Sequence, residues 1–144
     1  MDRYLDTTRV GPMWLRRPEL ADLIAAQIRA AADRDRLCEL QAWVVMSNRV
    51  HLLIRPPIPT SKVLKRIKGR TAREANLIIG QTGKPFWQAE SYDRWMRTSE
   101  EIAKVTRHIE NNPVVAGLAP RPEDYKWSRA WKGWQAGAKA PVAG

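Results

Sequence analysis

Between Arg55 and Arg73 the chain carries seven basic residues, Arg55, Lys62, Lys65, Arg66, Lys68, Arg70 and Arg73, and no acidic one. On a helix, Lys62, Lys65, Arg66, Arg70 and Arg73 fall opposite Val63, Leu64, Ile67 and Ile78. That spacing gives one apolar face and one cationic stripe. A cationic stripe tracks phosphates, and arginine can clamp them with two parallel hydrogen bonds. Trp87, Tyr92 and Trp95 follow in the next segment. Rings beside a cationic groove are suited to stacking unpaired bases, although tryptophans serve equally well as packing residues.

The whole chain shares this bias. It has 144 residues, 25 Lys and Arg against 15 Asp and Glu, and a formal charge of +10. Net charge speaks to partners rather than to fold, and a polyanion is the partner it favours. The apolar share of 44% is that of a folded domain, which argues against global disorder. A single cysteine, Cys38, cannot form an internal disulfide and reads as a small buried hydrophobe. No run of about 18 apolar residues occurs, so we expect a cytoplasmic protein with no membrane partner.

The elements that must hold these residues can be read in order. Tyr4 to Val10 reads as a strand. Pro18, suited to a first helical position, opens a helix to about Arg34 with Leu20, Leu23, Ile24 and Ile28 at helical spacing. Glu39–Met46 and His51–Ile54 read as strands joined by a tight connection over residues 47–50, and Pro56, Pro57 and Pro59 end the second. Ser61–Ile79 is a helix, and Phe86–Arg97 holds a strand. Ser99 caps a last helix, which Pro113 bends or interrupts and Gly117 ends. The order β-α-β-β-α-β-α predicts an α+β, ferredoxin-like sandwich: an antiparallel sheet with helices packed on one face. A single domain over 1–132 is expected, with a flexible tail over 133–144.

The segment Trp43-Val44-Val45-Met46-Ser47-Asn48-Arg49-Val50-His51-Leu52-Leu53-Ile54 resembles the strand motif of HUH-type single-tyrosine transposases, above all the REP-associated and related solitary ones. The likeness continues through Lys68-Gly69-Arg70-Thr71-Ala72-Arg73, Phe86-Trp87-Gln88, Ser91-Tyr92-Asp93-Arg94, Ile109-Glu110-Asn111-Asn112-Pro113-Val114 and Pro122-Glu123-Asp124-Tyr125. Several motifs in the right order, over roughly residues 4–130, make it specific. The resemblance implies a mechanism. Two histidines one residue apart on a strand, with a polar residue from the last helix, hold a divalent metal that polarises a phosphodiester. A tyrosine on that helix attacks and is joined to a DNA 5′ phosphate. The implied substrate is single-stranded DNA flanked by an imperfect hairpin.

Set against that pattern, this chain departs at the chemistry. The first histidine position is Arg49, which is always charged and cannot ligate a metal. The nucleophile position, four residues before the Asn of Asn-Pro-Val, is His108. His51 and Asn112 are retained as residual metal ligands, and His108 and Asn112 share a helical face. The reading that follows is a binder of hairpin-bearing single-stranded DNA with lost or impaired strand cleavage, with Arg49 standing in for the metal at a phosphate. Arg55, Lys62, Lys65, Arg66, Arg70, Arg73, Trp87, Arg94 and Trp95 are the other nucleic-acid candidates, with the helix Ser61–Ile79 expected beside the pocket of Arg49, His51, His108 and Asn112. No cofactor is expected; an active enzyme would need Mg2+ or Mn2+. In that alternative His108, or more weakly Tyr92, takes the nucleophile's part. Another alternative is a structural or RNA-binding subunit of a nucleoprotein complex. A homodimer or a partner protein is compatible with all three.

Overall fold

The computed structural model describes residues 3–11, 13–55 and 58–135. Strand β1 (Arg3–Val10) pairs antiparallel with β3 (Arg49–Arg55) and with β4 (Trp87–Met96), and β3 pairs antiparallel with β2 (Glu39–Val45). The sheet order is β2-β3-β1-β4. The connection between β2 and β3 is shorter than its sequence suggests. Arg49 and Val50 already belong to β3, where Arg49 pairs with Arg9 and Val50 with Thr8. Pro56 and Pro57 lie outside the described residues; the strand before them ends at Arg55.

Two of the helices cover one face. Helix α1 (Pro18–Asp33) begins with proline at its first position, and α2 (Thr60–Ile79) ends at Gly80 in the left-handed conformation at φ 72°. Leu20, Ile24 and Ile28 of α1 and Val63, Leu64 and Ile67 of α2 share one core with Trp43, Val45, Val50, Leu52 and Ile54 of the sheet. Cys38 lies in the same core, and burial pushes its thiol up to about 11.

Helix α3 (Ser99–Val115) packs on the opposite face. Its Val105 and Ile109 meet Ala42, Val44, Met46, Leu53 and Met96 in a second core. The α+β architecture and antiparallel sheet are those expected, but the helices occupy both faces rather than one. The reason lies in the strands. Val44-Val45-Met46 and Leu52-Leu53-Ile54 are continuous apolar runs, which alternate between faces and need cover on both.

The cap of α3 is Thr98 rather than Ser99. The Thr98 hydroxyl accepts from the Glu101 N–H at 3.1 Å, and the Glu101 carboxylate accepts in return from the Arg97 N–H at 3.2 Å. The helix also runs through Pro113 to Val115 before Gly117, at φ 75°, turns the chain. A proline in the last turn deprives only one carbonyl, and the Leu118 N–H returns to the Pro113 carbonyl at 2.8 Å to close the end.

After α3 the chain returns to the free edge of β2. Val45 N–H donates to the Trp127 carbonyl at 2.8 Å, and Arg129 N–H to the Trp43 carbonyl at 3.1 Å. The buried Tyr125 hydroxyl donates to the Val45 carbonyl at 2.6 Å. Short helix α4 (Lys132–Gln135) follows, with Trp134 packed 6.4 Å from Trp43 and under the Arg29 guanidinium at 4.1 Å. Gly133 and Trp134, placed in a loose tail by composition, thus belong to the packed body; residues 136–144 lie outside the described residues.

Candidate nucleic-acid interface

Opposed residues of an antiparallel ladder share a face. His51 stands opposite Thr7 on one side and Val44 on the other, and Arg94 stands opposite Leu5. His51 therefore faces α3. Thr7 Oγ1 lies 2.9 Å from His51 Nδ1, which fixes the ring. The other ring nitrogen, Nε2, is buried with no hydrogen-bond partner. Burial, then the charges of Arg49 and of His108, push the His51 pKa down to about 4, so the imidazole is neutral at physiological pH.

Helix α3 supplies the opposite wall. With Val105 and Ile109 turned into the core, His108 and Asn112 border a cleft of about 910 Å³ that also takes in Thr7 and His51. Three positions expected to converge, His51, His108 and Asn112, do so. Arg49 sits beside the cleft on the same strand face, its Nε donating to the Asn48 side chain at 3.3 Å. The cleft also draws in Arg94 from β4 and Lys104 and Arg107 from α3. Lys104 and Arg107 were missed in the sequence. Lys104 lies one turn before His108 and Arg107 lies three residues after Lys104, and those spacings were the signal for them. Glu110 lines the cleft as well; burial raises its carboxyl pKa against the opposing pull of Arg129.

The divalent metal that the resemblance implies does not fit these residues. The candidate donors are two imidazoles and one carboxamide, all without negative charge, and the Arg49 cation stands next to them. Among the described residues no three of His, Cys, Asp and Glu come together. One of the two strand positions that would ligate the metal is a fixed cation, which has no lone pair to donate and repels a dication from the donors that remain.

The remaining sequence candidates fall elsewhere. The sheet separates α2 from the cleft, so its basic stripe does not adjoin His51 as the sequence reading had it. Lys62, Lys65, Arg66 and Arg73 are exposed, whereas Arg70 is bound to Asp35 at 2.6 Å and Arg55 to Glu39 at 3.8 Å. Ile78, assigned to the apolar side, is 40% exposed. Trp87 packs edge-on to Phe86, and its indole N–H donates to Thr71 Oγ1 at 2.9 Å and the Lys68 carbonyl at 3.2 Å. It is a packing ring tied to α2. Trp95 is half-exposed, and its register opposite Tyr4 puts it on the α1 and α2 side. Tyr92 stands opposite Thr7 in the ladder; its side chain lies outside the described residues.

Comparison with known proteins places this geometry. A solved structure of a REP-associated tyrosine transposase bound to a REP hairpin matches with a TM-score of 0.71 and 22% identity, covering 99% of this chain and 85% of that one. A candidate transposase from Deinococcus radiodurans matches with a TM-score of 0.53 and 23% identity, covering 77% of this chain and 89% of that one. Both likenesses speak to the fold. A comparison with curated proteins finds no match. The family model described as "Transposase IS200 like" matches residues 16–112, from the turn before α1 to the Asn112 that borders the cleft, and the chain belongs to that family.

Proposed function

We propose that this chain is a DNA-binding member of its family that holds hairpin-bearing single-stranded DNA in the α3 cleft without cutting it by the metal and tyrosine route. The observation that carries the reading is the composition of the cleft: it holds His108, has Arg49 beside it, and keeps His51 neutral between them, and the resemblance would put a metal ligand and the nucleophile at positions 49 and 108. A fixed guanidinium can neutralise a phosphate where the family would place a cation. Arg94, Lys104 and Arg107 extend that charge along the cleft.

His51 adds a directional contact. When the Thr7 hydroxyl donates to Nδ1, the proton sits on Nε2, which then offers a donor to a phosphate oxygen. The transposase fold bound to a hairpin in the similar solved structure supports a hairpin as the ligand. Three guanidinium side chains, Arg49, Arg94 and Arg107, make a phosphate the best-matched guest of this pocket.

The test is fluorescence anisotropy with EDTA present. A hairpin with a single-stranded flank should bind at least tenfold tighter than a random duplex of equal length. With Arg49, Arg94, Lys104 and Arg107 engaged, log K should fall against log salt with a slope of about −3, at ~0.7 per phosphate. Equal affinity for hairpin and random duplex, or binding that requires metal, contradicts the reading.

A further inference from the structure

We propose that the outward face of α2, with Lys62, Lys65, Arg66 and Arg73 set around Gly69, is a second nucleic-acid surface that takes the phosphate backbone of duplex DNA independently of the cleft. The proposal rests on the chain being a DNA binder, but not on what the cleft holds.

Positions 62, 66, 69 and 73 are spaced by four, three and four residues, which is one row along a helix. The row is about 16 Å long at ~1.5 Å per residue, roughly half a turn of B-DNA. Its cations are exposed, and no acidic residue interrupts them. The opposite side of α2 is fixed in the core by Val63, Leu64 and Ile67, so the helix is held rigid with this face outward.

Gly69 is the second, independent observation. Glycine in a helix interior lowers helix stability. Gly80 has a conformational reason, its positive φ, but Gly69 has a helical one. A Cβ added at Gly69 would meet nothing within 4 Å. Nothing inside the fold therefore calls for glycine there. What the missing side chain permits is close approach of an external backbone to the helix, between Arg66 and Arg73.

Duplex is favoured over single strand because single-strand surfaces add rings that stack bases. Trp87 is turned inward and bonded to Thr71 and Lys68, and Trp95, half-exposed on the same side of the sheet, belongs to β4 and not to the row. Beyond Arg73 the row ends at one exposed apolar side chain, Leu77, and a single leucine is too little to seat the helix in a bilayer. Because the sheet lies between α2 and the cleft, the two surfaces can be occupied at once.

The experiment measures anisotropy of a random 20-bp duplex and of an unstructured oligo-dT strand with three proteins. These are the full chain, the chain with Lys62→Gln, Lys65→Gln, Arg66→Gln and Arg73→Gln, and the chain with Arg94→Gln, Lys104→Gln and Arg107→Gln. The helix variant should lose at least tenfold in duplex affinity and about 3 to 4 in salt slope, at ~0.9 per phosphate, with oligo-dT affinity kept within twofold. The cleft variant should show the reverse, and saturating oligo-dT should leave bound duplex in place. Gly69→Leu should melt at least as high as the full chain and still bind duplex severalfold more weakly. Unchanged duplex affinity in the helix variant, parallel loss of both ligands, or competition between them would overturn the proposal. So would vesicles containing phosphatidylserine that depend on these cations when duplex does not. A chain that binds oligo-dT but no duplex defeats this proposal alone; one that binds neither defeats the reading of the cleft as well.

Discussion

His51 is held by Thr7 on one side and crowded by two basic neighbours on the other. Its pKa is about 4 folded and about 6.5 unfolded, so between those values the unfolded chain binds the extra proton. Stability should therefore rise with pH across that window. The contribution is complete above about pH 6.5 and is lost as pH falls towards 4, with a magnitude on the order of 2–3 kcal/mol. Urea melts at pH 7 and pH 4.5 should show this difference, and His51→Asn should remove it. With only two histidines in the chain, NMR titration can follow each ring. Arg49→Gln should raise the His51 pKa while leaving it below 6.5, because burial is the larger cause. The same residues predict how metal binding could be regained. Arg49→His together with His108→Tyr removes the opposing cation and restores a second ligand, so isothermal titration with Mn2+ should detect binding in the double variant and none in the parent chain.

At the scale of elements, the strands and helices were legible because their periodicities are strong and their ends carry proline, glycine and threonine. The unread part was three-dimensional. Each apolar run in β2 and β3 serves two cores, and nothing local tells which helix covers which face. The basic stripe was therefore correctly seen on α2 and wrongly set beside His51, while Lys104 and Arg107, on a helix that reads as mixed in charge, went unnoticed. Arg49 and His108 were legible as residue identities, whereas their place at or beside one cleft needed the fold. The return of the chain to the β2 edge was not, because it rests on long-range contacts such as Tyr125 to Val45, 80 residues apart. Tyr125→Phe removes a buried hydrogen bond at 2.6 Å and should cost about 1–2 kcal/mol, read as a fall of several degrees in melting temperature. No change in melting would mean that the edge segment contributes nothing through this bond.

Over the whole molecule, three layers divide the charge between two sides. One side offers a concave cleft with a neutral imidazole at its base, and the other a convex helix with an uninterrupted cationic row. No described helix is long and apolar enough to cross a membrane. The frame is that of a family that moves DNA, and Arg49 and His108 stand at or beside the cleft rather than in either core. The account stands on one contrast, retained DNA binding without strand transfer to the protein. A labelled hairpin-bearing strand should be incubated with the chain in EDTA, Mg2+ or Mn2+, and each sample run on native and denaturing gels. The account predicts a native complex in all three conditions and no covalent adduct in any. A denaturing-stable adduct that needs metal and disappears with His108→Ala or Tyr92→Phe would contradict it.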